Sequence, residues 1–280
     1  MKMKKLTLKT IASACVAGMS VLLTGCDMFE YHPYEGRIDG ETHLTQKNLK
    51  KLERLGLGSS YKFAFISDTQ RWYDDTDDVV ADLNRRDDIS FVLHGGDLTD
   101  FGVTEEFEWM RDCLKELNKP WLTIIGNHDY LGHGEYIYQE MFGELNYSFT
   151  VGHVRFELIN TVALELDYST PIPDFNFLEA EIHYLDSLNL QYPDSVTQTI
   201  FVMHSRPYDE QFNNNVNLPF DRYLRMFPNP LCLNGHNHHT QQFEFFDDGI
   251  IFYGICNIAK RQYYTLTINN DSYEIETTDF

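Results

Sequence analysis

The sequence is short of positive charge, with 22 Lys and Arg against 43 Asp and Glu in 280 residues. Four of the lysines and none of the acids fall within residues 1–25, so a chain that loses them keeps 18 basic and 43 acidic residues, a formal charge of −25. Such a surface repels polyanions at long range, which argues against a nucleic acid polymer or an anionic lipid surface as partner. Local positive charge would have to come from metal ions. Cysteine is scarce as well, five in all. Cys15 and Cys26 belong to the start of the chain, and Cys113, Cys232 and Cys256 are an odd set lying in apolar patterns. They read as buried thiols rather than a disulfide framework, and none is a catalytic candidate. There is no internal repeat and no sign of a second globular domain.

A long apolar run is missing too, except near the start. Lys2, Lys4 and Lys5 precede an apolar stretch over residues 6–23 that also holds Ser, Thr and Lys9, shorter and more polar than a spanning helix. It ends in Leu23-Thr24-Gly25-Cys26. Small residues before a Cys at that place resemble the bacterial lipoprotein signal, in which the peptide is removed before the Cys and the Cys carries lipid. The resemblance implies a leader over 1–25, lipidation at Cys26, and a bacterial envelope location facing the periplasm or the exterior. The alternatives are an ordinary cleaved signal peptide or an uncleaved anchor.

What is present is ample material for one core, 42% hydrophobic and 14% aromatic residues. Residues 27–44 contain Pro33, Gly36 and Gly40 without a sustained period and read as a tether. Thr45 reads as the N-cap of a short lead-in helix carrying Leu49, Leu52 and Leu55 and closed by Gly56 and Gly58. The division is therefore 1–25 leader, 26–60 lipidated Cys, tether and lead-in helix, and 61–280 one globular domain.

Within that domain, apolar runs predict strands at 63–66, 89–93, 121–125, 199–203 and 230–233, with helices over 74–86, 104–117, 136–142 and 177–190. Residues 147–164 alternate as a hairpin with one solvated face, and 242–273 read as antiparallel strands. Each of the five strands stops at polar residues. The stops are Asp68 with Gln70, Asp97 with Asp100, Asn127 with His128, His204, and His236 with His238. One such stop is a common turn; five in one chain, each rich in O and N donors, point to a metal site at the strand ends. On an extended segment residues i and i+2 face the same way, so Asp68 with Gln70 and His236 with His238 are each expected to address one site. Carboxylate with imidazole suits Mn, Fe or Zn, and a pair of such ions clamps a displacement at phosphorus.

These blocks, Asp68-Thr69-Gln70, Gly96-Asp97, Gly126-Asn127-His128-Asp129, His204 and Gly235-His236-Asn237-His238, resemble the calcineurin-like metallophosphoesterase family over residues 63–239. The resemblance implies a four-layer α/β/β/α sandwich and two divalent or trivalent ions. Asp68, Gln70 and His238 would hold one ion, Asn127, His204 and His236 the other, and Asp97 would bridge. A metal-bridging hydroxide would attack phosphorus, while His128, oriented by Asp100, would stabilise the transition state or protonate the leaving oxygen. Asp129 would support rather than ligate.

Gln70 departs from the family pattern, which has His there, and an amide oxygen is a weaker donor than imidazole toward Zn or Fe. Phe101 stands where phosphoprotein phosphatases of the family carry Arg, and Asp100 where purple acid phosphatases carry Tyr, so neither subgroup fits. Arg206 is a candidate phosphate contact. His94 reads as a hydrogen-bonded core residue. The expected substrate is a small or nucleotide-like phosphomonoester or phosphodiester, with membrane contact through the lipid alone. The alternative is a non-catalytic, ligand-binding lipoprotein on the same fold.

Overall fold

Alternation along the strands decides the layers. In β1 (Ser60–Ile66), Phe63 and Phe65 point to one side and Ala64 and Ile66 to the other. In β2 (Ile89–His94), Phe91 and Leu93 divide from Val92 in the same way. Both faces are apolar, so each strand needs cover on both sides. The computed structural model describes residues 35–165, 170–270 and 272–280, within the compact unit Tyr34–Phe280. The leader, Cys26 and residues 27–34 of the expected tether lie outside the described residues.

One sheet runs β11 (Ser272–Asp279), β10 (Gln262–Asn269), β1, β2, β3 (Trp121–Thr123), in that spatial order. The other runs β4 (Tyr147–Val151), β5 (Val154–Leu158), β6 (Gln198–Met203), β7 (Pro230–Asn234), β9 (Ile251–Gly254), β8 (Gln241–Glu244). β1, β2 and β3 are parallel, as are β5, β6, β7 and β9. Between the sheets lies one cluster in which Phe63 and Phe91 stack at 5.0 Å and Phe156 meets both edge-on.

The outer face of the first sheet is covered by α2 (Tyr73–Arg85), α3 (Thr104–Leu114) and α4 (Gly134–Met141), through Val79, Leu83, Phe107, Met110, Ile137 and Tyr138. The outer face of the second carries α5 (Phe175–Gln191) and α6 (Asn217–Leu224), with Leu178, Ile182, Phe220 and Leu224 on Phe201, Met203 and Phe252. The architecture is α/β/β/α, two mixed sheets face to face with helices outside. Among the described residues no helix is long and apolar enough to cross a membrane. Cys113, Cys232 and Cys256 are free, and burial raises all three thiols.

Four local expectations are corrected. The lead-in helix α1 (Leu44–Arg54) starts before Thr45, with His43 in the left-handed region at its N-cap and no side chain capping it. Its start is held instead by the Thr45 amide donating to Phe142 O, and Leu44 and Leu52 join the core. Residues 35–43, read as tether, lie against the domain: Arg111 Nη1 donates to Asp39 O at 2.7 Å. The strands over 242–273 are antiparallel within pairs, β8 with β9 and β10 with β11, but the two pairs go to different sheets. β8 and β9 extend the second sheet, β9 parallel to β7, while β10 and β11 close the first.

The 147–164 hairpin has no open face on its second strand. Every residue of β5 is buried, Val154, Phe156 and Leu158 between the sheets and Arg155 and Glu157 under α5. Arg155 there serves two acids, Glu157 at 3.3 Å and Glu181 of α5 at 2.5 Å. Burial raises the Glu157 carboxyl to about 9, the Glu181 charge adds to this, and Arg155 opposes it. A raised carboxyl pKa means that the folded state holds the proton more tightly. Its contribution is complete below the unfolded value near 4.5 and is lost as pH rises toward 9. Melting temperature is accordingly expected to fall from pH 6 to pH 9, and Glu157→Gln to flatten that fall. An equal fall in both proteins would mean that Arg155 keeps Glu157 ionised.

Candidate metal centre

The parallel strands of both sheets end at the same edge of the sandwich, and their loops touch. Asp68 N donates to Gly96 O, and Thr69 N and Gln70 N both donate to Asp97 O, which locks the loop after β1 to the loop after β2. His204 after β6 reaches across to Gly95 O at 2.8 Å, and His236 N after β7 donates to both oxygens of Asp68. Two glycines permit this closeness. A Cβ on Gly126 would come within 2.1 Å of Asp97 Oδ1, and one on Gly235 within 2.1 Å of Ser67 Oγ.

Asp97 lies at the middle of the side chains brought together. Its Oδ1 accepts from His128 N at 3.0 Å, and its Oδ2 faces Gln70 Nε2 at 3.2 Å and His204 Nε2 at 3.4 Å. To one side, His238 Nε2 lies 3.2 Å from Asp68 Oδ1. To the other, Asn127 Oδ1 is 3.0 Å from both His204 Nε2 and His236 Nδ1. The structure thus gathers Asp68, Gln70, Asp97, Asn127, His204, His236 and His238. Ligand atoms of Asp68, Asp97 and His204 lie within 4.8 Å of one another.

Expectation and geometry differ in how the loops aim these groups. Asp68, Asp97, His236 and His238 have φ of 56°, 58°, 71° and 54°, so the ligand segments turn through the left-handed region instead of running extended. Strained backbone of this kind persists where the surroundings over-determine it. His236 and His238 consequently part, one to Asn127 and the other to Asp68.

The donor set suits metal ions. His204 donates Nδ1–H to Gly95 O, which leaves the Nε2 lone pair toward Asp97 and Asn127. His236 places Nε2 on Glu210 Oε1 at 3.1 Å, leaving Nδ1 on the inner side. Gln70 Oε1 is buried and has no hydrogen-bond partner among the described residues, an acceptor that a cation would satisfy. Burial alone would lower the His204 pKa, but Asp97 and Asp68 overcome it and raise it to about 10. The Asp68 contact likewise raises His238, while burial and the His204 charge lower His236. These carboxylates draw protons onto the imidazoles, the positive charge that a metal would supply in their place.

Around this centre the structure places the remaining residues. Asp129 is fully buried and accepts from the amides of Leu98, Thr99 and Gly126 and from the Thr99 hydroxyl. Burial raises its carboxyl to about 7, Asp97 adds to this, and the donors on Gly126 and Thr99 oppose it. Leaving such donors unpaired costs about 1–3 kcal/mol each, so Asp129 is a brace between two ligand loops. His94 accepts from Gly96 N on Nδ1 and meets Thr69 Oγ1 through Nε2, and burial lowers it to about 4, as befits a neutral core histidine.

One expectation changes. His128 Nδ1 is held by the Asp100 backbone carbonyl at 2.8 Å; the Asp100 carboxylate stands off at 3.7 Å and pairs with Arg71. Arg206 lies with its guanidinium over the rings of Phe243 and Phe245 and 3.5 Å from Asp209, a placement that sequence alone did not indicate. Asp209 in turn accepts from Asn237, tying the His204 loop to the His236 loop. Sequence reasoning missed Arg71, Asp209 and Glu210; their only signal was closeness to ligands along the chain.

Comparison with known proteins agrees with this geometry. By sequence, no curated protein matches the chain. Solved structures share its fold at low identity. A purple acid phosphatase from yellow lupin seeds superposes with a TM-score of 0.59 at 15% identity, over 80% of this chain and 52% of that one. GAP50, the anchor in the inner membrane complex of Plasmodium, gives 0.58 at 14%, over 79% and 85%. A 5'-nucleotidase from Candida albicans gives 0.53 at 16%, over 80% and 52%, so this chain spans about half the length of the lupin and Candida proteins. The family model for calcineurin-like phosphoesterases matches residues 61–240, well over half of the sequence and every ligand loop described above. The chain belongs to the calcineurin-like phosphoesterase family.

Proposed function

We propose that this protein hydrolyses phosphomonoesters or phosphodiesters with two metal ions, outside the cytoplasm. The observation that carries the reading is the convergence of six donor side chains from the strand ends around the buried Asp97 carboxylate. Asp68, Gln70 and His238 would hold one ion, Asn127, His204 and His236 the other, with Asp97 shared. When bound, such ions place positive charge against phosphoryl oxygens and acidify water. The chain's own residues orient and exchange protons. His128, its Nδ1 fixed on Asp100 O, keeps Nε2 to carry a proton to the departing oxygen.

Gln70 supports Mn over Zn or Fe in the first position, because a neutral amide oxygen is the harder donor. It is also the one residue that favours a ligand-holding protein without turnover. The fixed His128 ring speaks against that alternative, since a binding protein has no use for a poised proton donor. The leader that resembles a lipoprotein signal supports attachment to a bacterial membrane through Cys26, on the periplasmic or outer side.

Gln70→His is expected to raise the metal retained per chain after desalting, read by elemental mass spectrometry; no increase would mean that position 70 is not a ligand. His128→Ala is expected to lower kcat on an alkyl phosphate by about 100-fold or more with metal content unchanged. Asp100→Ala, which keeps the carbonyl that holds His128, is expected to lose less than about tenfold. Equal losses in these two variants would return the orienting role to the Asp100 carboxylate.

A further inference from the structure

A cavity of about 400 Å³ opens beside the metal centre, between residues 163–164 and 170–172 on one side and the loop that follows β6 on the other. Glu210 joins the two: it lines the cavity, and its Oε1 is 3.1 Å from Nε2 of His236. Leu164, Ile172 and Phe212 give the cavity an apolar part, and Asn213 and Asn215 an amide part. No lysine, arginine or histidine is among the described residues that line it. The neighbouring Asn214 is spent on the fold, accepting from Tyr208 N and Asn217 and donating to Asp209 O. Asn213 and Asn215 are joined only through Asn213 Oδ1, which leaves the Asn213 Nδ2 donor and the Asn215 Oδ1 acceptor without partners among the described residues.

We propose that this cavity receives the leaving group of the substrate and selects a neutral, polyhydroxylated one, a sugar or a nucleoside, against one bearing a second phosphate. The inference rests on the phosphoesterase reading above. Hydroxyls both donate and accept, so they can meet the free amide N–H, the free amide oxygen and the Glu210 carboxylate together, while C–H faces lie on Leu164, Ile172 and Phe212. The size falls within the range of sites for small ligands. A second phosphate in the same place would face Glu210 with no cation to balance it, at the wall of a strongly acidic protein.

The test uses the full chain loaded with Mn, and a hexose monophosphate, a nucleoside monophosphate, a nucleoside diphosphate and phenyl phosphate as probes. The readout is kcat/KM for each, divided by the value for phenyl phosphate. The exposed wall residues Asn215 and Thr170 supply the variants, Asn215→Lys to place a cation in the cavity and Thr170→Trp to fill it. The wild type is expected to favour a monophosphate of one or both polyols over the diphosphate by tenfold or more, the larger ratio telling sugar from nucleoside. Both variants should cut that ratio by tenfold, and Asn215→Lys should raise the relative rate on the diphosphate, a gain that misfolding cannot give. If phenyl phosphate is cleaved but neither variant moves any ratio, or the wild type prefers the diphosphate, the cavity is not the leaving-group site and the hydrolase reading stands. Bis(4-nitrophenyl) phosphate is run beside them: if it alone is cleaved, this inference fails and the hydrolase reading stands, and if nothing is cleaved, the hydrolase reading fails and this inference with it.

Discussion

A carboxylate buried among other polar groups is the constraint on which this structure turns. Asp97 has almost no access to water, so its charge must be balanced inside the protein. The chain sets His204 and Gln70 against one oxygen and a backbone amide against the other. The rise of His204 to about 10 measures how strongly the acids call for positive charge. A negative formal charge over the whole molecule adds to that demand. Metal ions would meet it with a geometry that single protons do not have, and the same charge would let a phosphoryl group bind to so acidic a protein.

Holding Asp68, Asp97, His236 and His238 in the left-handed region takes a frame that does not yield. The frame is the pair of sheets, with their aromatic interior, and a second set of bonds between the loops themselves. Asp129 fastens the loop after β3 to the loop after β2 through three donors on Leu98 and Thr99, and Asp209 fastens the loop after β6 to that after β7. Gly126 and Gly235 matter because any side chain there would strike a ligand or its neighbour. The carboxylates around the site thus divide by surroundings, some facing the donors of the metal set and others bracing the backbone that carries it.

The strands and the site blocks were legible because both rest on local pattern. Apolar runs ending in Asp, Asn or His placed all five loops that meet at Asp97, and alternation along β1 and β2 already implied layers on both sides. What was not legible depends on contacts between distant segments. The closed face of β5 follows from Arg155 meeting Glu181, which no periodicity reports. The parting of β8 and β9 from β10 and β11 is a choice between sheets that equal strand patterns leave open. α6 begins Asn217-Leu218-Pro219 and reads as loop, although proline is tolerated in a first helical turn. The withdrawal of Arg206 onto Phe243 and Phe245, and the use of the Asp100 carbonyl in place of its carboxylate, needed coordinates.

The most direct test of a metal centre built on Asp97 is to compare the full chain and Asp97→Asn for ions retained and for metal-restored hydrolysis of an aryl phosphate. The account predicts that the wild type retains two ions of Mn, Fe or Zn and gains activity with them, and that the variant, folded by circular dichroism, loses bound metal and activity together. Wild-type levels of both in Asp97→Asn would contradict it.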